Sequence, residues 1–210
     1  MSVLRTLAVT ATAVVVTIPI AGATAAQAGS AHHHAAHHAT AKKAPTFIVL
    51  TGGKTRLTLD KNTAAALTAN GVTVAPVSEA RANAAGISFP IQGGLINAKT
   101  LAGTITHSGG LVFSAGGKSL TIRDFKVSTG KKTLTAWVDE VGARIPVLNL
   151  KLGKAKVKAT AKHLTVSNIS ATLQKGAAQA LNGYFATTLF TGGLPVGKVL
   201  VSASSKVLHR

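Results

Sequence analysis

Cysteine is absent from this chain of 210 residues, and carboxylates nearly so. Without a thiol there is no disulfide, zinc–thiolate site, iron–sulfur cluster or cysteine nucleophile, so stability has to come from packing. Asp60, Glu79, Asp124, Asp139 and Glu140 are the whole supply of acids, against 23 lysines and arginines. Most hydrolytic chemistry and most hard-metal sites need several carboxylates converging in space. Asp139 and Glu140 are adjacent, so on a strand they would point to opposite faces. A Gly-x-Ser-x-Gly elbow, a Gly-x-x-x-x-Gly-Lys-Ser/Thr loop and a His-Glu-x-x-His helix are all missing. The chain reads as non-enzymatic. A hydrolase would require the fold to bring Asp60 or Asp124 beside Asp139 or Glu140. Aromatics make up only 4%, so the core must be built from small and β-branched side chains.

Long apolar runs are lacking too. Leu7 to Ile20 is too short and too rich in Ala and Thr for a membrane span. Arg5 supplies a positive flank and Ala26-Gln27-Ala28 a small-x-small cleavage site, so residues 1–28 read as a Sec signal peptide rather than a retained anchor. No Cys follows, which excludes a lipoprotein. Residues 29–45 carry His32, His33, His34, His37 and His38, then Lys42 and Lys43, with little to bury, and are expected to form a disordered linker. The tract is a metal-binding candidate by composition alone, and a flexible wall-crossing spacer is the plainer account. Residues 46–210 are expected to fold as one secreted or cell-wall-associated domain.

What is present from Thr46 onward is period-two alternation cut by glycines. Leu57 and Leu59 alternate with polar residues, as do Ile87, Phe89 and Ile91. Leu111 and Phe113 lead into Gly116-Gly117, a hairpin turn. Leu120 and Ile122 follow, and the parity then slips to Phe125 and Val127, which predicts a bulge near Arg123-Asp124. Leu134, Ala136 and Val138, then Ile145 to Leu152 and Leu164 to Leu173, supply further strands. The expected architecture is an all-β antiparallel sandwich or flattened barrel with two short Ala-rich helices. Those helices look alike: Thr58-Leu59 with Lys61, Ala64, Ala66 and Leu67 recurs as Thr172-Leu173 with Lys175, Ala178, Ala180 and Leu181. The repetition predicts two equivalent corners and a domain whose two ends are built alike.

Several of these stretches together resemble the HtaA domain of actinobacterial envelope proteins. They are Phe89-Pro90-Ile91-Gln92-Gly93-Gly94, Thr100-Leu101-Ala102-Gly103, Gly109-Gly110-Leu111-Val112-Phe113, Leu148-Asn149-Leu150, Ala171-Thr172-Leu173 with Gly176-Ala177-Ala178, and Phe190 to Pro195. The resemblance implies a β fold and a link to haem uptake through a Tyr ligand with a His partner, and hence envelope haem-uptake proteins as partners. Carried over position by position, the ligands do not match. The family's His falls near Gly116 and its closing Tyr near Phe190, and its Trp-containing opening has no counterpart at Thr46 to Leu50.

Two candidate sites remain. His107, on a strand inside the family-like core, and Tyr184, the one tyrosine, are each a haem- or ligand-binding candidate, set against a rim histidine and a packing tyrosine. Lys154, Lys156 and Lys158 alternate with small residues, which on a strand puts three ammonium groups on one face; Lys162 shares their parity and Lys151 adds to the patch. That row serves either as a contact for anionic wall polymer or lipid, or as an edge strand guarded against aggregation. Specific nucleic-acid reading is not expected. The main expectation is a secreted envelope-binding module without a cofactor, held by electrostatics; the alternative is a protein that binds haem or another hydrophobic ligand.

Overall fold

Alternation becomes strand wherever the sequence announces it, and the strands close on themselves. The computed structural model describes residues 46–209, within a unit spanning Lys42–Arg210. The segments expected to be a signal peptide (1–28) and a linker (29–45), with the five tract histidines, lie outside the described residues.

Eight antiparallel strands form the ring. In spatial order they are β7 (Lys118–Ser128), β5 (Gly103–His107), β4 (Gly86–Asn97), β1 (Thr46–Leu59), β12 (Pro195–His209), β11 (His163–Leu173), β9 (Ala143–Lys151) and β8 (Thr133–Val138), and β8 pairs back onto β7. Closure makes this a barrel rather than an open sandwich. Four short strands sit outside the ring. β6 (Gly110–Ala115) and β2 (Thr73–Val77) extend from β7, β3 (Arg81–Asn83) lies on β4, and β10 (Lys156–Ala159) lies on β11. The β6–β7 turn is Gly116-Gly117, both with positive φ (57° and 75°), the conformation of a type I′ hairpin.

A tight eight-stranded barrel has to bend its strands, and bulges do the bending. In β1 the buried positions are Ile48 and Leu50, then Thr55 and Leu57, so the parity changes. The change coincides with a register shift at Leu50/Gly52. Gly53 is required there, because a Cβ at that position would lie 2.6 Å from the Ala203 Cα. β4 slips between Ile91 and Gly93, and β11 between Val166 and Ile169. β7 slips between Arg123 and Lys126, where Asp124 takes a φ of 53°; this is the bulge the sequence predicts. These slips divide the interior into two apolar clusters. One contains Leu57, Phe89, Leu111, Phe125, Val147 and Leu173. The other contains Leu50, Ile91, Ile105, Leu150, Leu164 and Val201.

The two helices correct an expectation. α1 (Lys61–Ala69) follows β1 and α2 (Lys175–Phe185) follows β11, the two strands that flank β12. Both therefore cap the same end, where β12 starts. The Asp60 amide donates to the Val196 carbonyl at 3.0 Å and the Leu173 amide to the Leu194 carbonyl at 2.9 Å. The ends of the barrel are thus unlike: one is covered by helices, and the other is built from turns alone. The copies also differ locally. The Asp60 carboxylate caps α1 by accepting from Asn62 N and Thr63 N (3.1 and 3.2 Å), whereas Gln174 makes no side-chain cap on α2.

Candidate ligand site in the barrel interior

An eight-stranded barrel is just wide enough for side chains to fill, or to hold one small ligand. Here the scarcity of aromatics decides between those outcomes. Leu, Val, Ile and Ala line the lumen, with a few Phe, and they leave a cavity of about 750 Å³. It runs from Leu67 and Leu181 at the helical end to Leu101 and Val157 at the other. Ligand pockets in proteins commonly span about 300–1,000 Å³ and are mostly apolar with a few placed polar groups. The lining has three titratable side chains: Tyr184 towards the helices, His107 at mid-length and Lys132 at the turn end.

His107 ends β5, opposite Ile91, at the junction of the two apolar clusters. It is 5% exposed, not on the rim. Its Nδ1 lies 3.3 Å from the Phe125 carbonyl. A carbonyl only accepts, so Nδ1 carries the hydrogen, and Nε2 is left as the acceptor for the Thr55 hydroxyl at 2.7 Å. Burial pushes the imidazole pKa down from 6.5 to about 4, against a smaller upward pull from the Phe125 hydrogen bond. The ring is neutral at physiological pH, with a basic nitrogen inside the lumen that only a hydroxyl covers. Phe89 and Phe125 pack edge-to-face beside it, with ring centroids 4.9 Å apart.

Tyr184 lines the same cavity, but its hydroxyl donates to the Ser119 carbonyl. Its own carbonyl accepts from Lys118 Nζ at 2.9 Å. These bonds tie α2 to the start of β7, and no hydrogen bond joins Tyr184 to His107. The pair proposed from the sequence shares a cavity without forming a ligand pair.

The lysine row is shorter than the sequence implies. Only Lys156 and Lys158 lie on β10, an exposed strand outside the ring, and Val157 between them turns to the cavity. Lys154 is in the turn before β10, Lys162 in the bend after it, and Lys151 at the end of β9. A different alignment exists on the outer wall: Ser170 pairs with Lys151 on one side and Lys198 on the other. Lys198 Nζ donates to Ser170 Oγ at 2.8 Å. Lys198 was not legible as part of the patch because only strand pairing brings it there.

The acids settle apart from the cavity. Asp139 and Glu140 sit in the β8–β9 turn, not on a strand. Asp124 and Asp139 do come together, but around Arg123, at 2.6 and 2.7 Å, on an exposed surface. Glu140 accepts from the Thr121 amide at 2.9 Å. No group of three metal-ligating side chains occurs among the described residues, and no described helix is long and apolar enough to cross a membrane.

Thr55 is the site residue sequence reasoning missed. It shares the core parity of Leu57, and a hydroxyl at a core position is the signal that could have found it. Lys131-Lys132 reads from the sequence as an addition to the lysine patch; that Lys132, in the β7–β8 turn, lines the lumen carries no signal until the ring closes.

The HtaA family model (Htaa) matches residues 63–190. Among solved structures, the C-terminal domain of HtaA from Corynebacterium glutamicum is similar at 18% identity and a TM-score of 0.57, covering 75% of this chain and 99% of that one. The haem-binding protein HtaB from the same organism aligns at 9% identity and a TM-score of 0.43, covering 78% and 98%. No curated protein sequence matches this chain.

Proposed function

The chain belongs to the HtaA family, and on that premise we propose that it is a binding protein whose barrel lumen holds one large apolar ligand, with haem as the first ligand class to test. The observation that carries this reading is the 750 Å³ apolar lumen with a neutral imidazole at mid-length. An apolar macrocycle suits those walls. His107 Nε2 offers a lone pair to iron once the Thr55 hydroxyl turns away, and Lys132 offers a cation to a carboxylate left at the turn end. Tyr184 contributes packing, not ligation. The haem link comes from the family; the residues that would serve it here are this chain's own.

Titration of the full chain with hemin tests the reading. A saturable Soret shift that persists when the five tract histidines are replaced by alanine, and is lost in His107→Ala, supports lumenal ligation. A shift lost with the tract alone assigns haem to residues 29–45. The absence of any saturable shift ends the haem reading.

A second reading is favoured by the exposed Lys151, Lys154, Lys156, Lys158 and Lys162, which lie on β10, on the connections flanking it and at the end of β9. They form a surface for anionic wall polymer or lipid in an exported protein, and retention on such a surface would weaken steeply with salt. Unchanged wall association between low and high salt would end it.

A further inference from the structure

The charges of the barrel are sorted by end. At the turn end, four connections close the strands, and each carries lysine: Lys99 between β4 and β5, Lys131 and Lys132 between β7 and β8, Lys154 before β10 and Lys162 before β11. None carries an acid. Asp60 caps α1 at the opposite end, Glu79 lies in the β2–β3 turn, and Asp139 and Glu140 lie in the β8–β9 turn beside the start of β9. Asp124 sits at the mid-barrel bulge, held by Arg123. The lysines at the turn end therefore have no carboxylate neighbour on their own turns, while the helical end contains its own counter-charges.

The lumen reaches solvent at the turn end, where Leu101 and Val157 line the cavity and are 37% and 38% exposed and Gly130 and Gly153 add no side chain to the lining. It also reaches solvent at the β8–β9 turn, where the lining residue Val141 is 60% exposed, but there the neighbouring charges are the acids Asp139 and Glu140. The turns are braced against each other: Thr129 Oγ1 donates to the Leu101 carbonyl at 2.7 Å, and the Leu150 amide to the Lys132 carbonyl at 2.8 Å. Of the described cations only Lys132 reaches the lining. From this rim to the Thr55–His107 pair, β1 runs from Thr46 to Thr55, roughly 20 Å of depth for a tilted strand. Nothing along that depth would accept a charge. The walls are apolar, and an unpaired ion carried to the middle would meet a ring that burial holds neutral, at a desolvation cost of several kcal/mol.

We infer that the lumen selects chain amphiphiles with an acidic headgroup, the chain lying in the barrel and the headgroup staying at the rim against Lys132. A cationic amphiphile of the same length meets a lysine rim, and an uncharged one gains at most a hydrogen bond there, without charge pairing. This inference rests on the proposal that the lumen is a ligand site and adds to it the polarity and direction of the ligand. A carboxylate and a phosphate monoester satisfy the same lysines, so both headgroups belong to the class.

The experiment uses a neutral apolar fluorophore whose emission rises on uptake by the full chain. Palmitate, hexadecyl phosphate, hexadecanol and hexadecyltrimethylammonium are then compared as displacers. The inference expects the two acids to displace the probe at concentrations roughly threefold or more below those of the alcohol and the cation, the scale of one partly exposed ion pair. Preference for one acid over the other names the headgroup. Lys132→Glu is expected to erase or reverse the preference. Lys154→Glu, in another turn, repeats the test should the first variant lose stability. Lys61→Glu, which changes net charge equally at the helical end, should leave the preference intact. Equal displacement by all four compounds, or equal effects of Lys132→Glu and Lys61→Glu, would overturn the headgroup preference and leave the lumenal site standing. No probe uptake by the wild-type chain would overturn both.

Discussion

Thr55 and His107 meet across the barrel, Oγ1 to Nε2 at 2.7 Å, from strands 52 residues apart in the chain. Their bond lies where the two apolar clusters adjoin. It satisfies the one imidazole nitrogen of the lining that could ligate a metal, and also blocks it. Whether the lumen has a ligating nitrogen is decided by one hydroxyl rotor.

Thr55→Val keeps the shape and removes that hydroxyl. The buried Nε2 is then unpaired, at a cost of about 1–3 kcal/mol, to be read from urea denaturation. If His107 ligates haem, hemin should bind Thr55→Val more tightly than wild type, because no hydrogen bond has to be broken first. Weaker hemin binding together with an unchanged spectrum would remove His107 from the ligand role.

Acid should destabilise the fold through His107. The unfolded chain takes up a proton at this ring below pH 6.5, and the folded chain refuses it until about pH 4. Stability therefore falls as the pH drops through that window, and above it this group contributes no slope. The full difference is about 3 kcal/mol. The measurement is the difference between wild type and His107→Gln across urea curves from pH 7 to 4, which isolates this ring's contribution. Parallel curves would show that the ring titrates freely in the folded state.

Tyr184→Phe should lower the melting midpoint by the loss of one hydrogen bond, about 1 kcal/mol, and leave a hemin-induced spectrum untouched. A lost Soret shift would restore Tyr184 as a ligand.

Filling the lumen separates its packing role from its binding role. Leu150 is buried and lines the cavity, so Leu150→Trp has room to expand. Stability should stay within about 1.5 kcal/mol of wild type, while uptake of a neutral fluorophore falls several-fold. Uptake unchanged by the added indole would place the binding outside the barrel.

The helix starts offer a test of the internal repetition. Asp60→Ala removes a formed cap and should cost about 1 kcal/mol. Gln174→Asp supplies the missing one and should stabilise by about 0.5–1 kcal/mol, read as a rise in melting midpoint.

Much of the ring could be read from residues. Period-two runs such as Ile87, Phe89 and Ile91 face the interior as alternation requires, and the parity slip before Phe125 marks a real bulge. The slips in β1, β4 and β11 went unseen because glycines or polar residues interrupt the runs there, hiding the change of parity. The helix repeat was visible, but not that both copies cap the same end. That depends on β12 lying between β1 and β11, a pairing made across more than 100 residues. The site was legible only in part. His107 stood out as a residue type, whereas its hydroxyl partner and the volume beside it exist only once the ring has closed. The lysines were read as one strand face, but only Lys156 and Lys158 share a strand, while Lys154 and Lys162 fall in the connections on either side of it.

The sorting of charge by end has a consequence for motion before contact. A molecule with lysines crowded at one pole and its few acids spread over the rest carries a permanent dipole along the barrel axis. Near any densely anionic boundary that dipole feels a torque over about one Debye length, some 8 Å at physiological ionic strength. Such a field would turn the protein before contact, with the acid-free turns, and the lumen residues exposed among them, facing the boundary first.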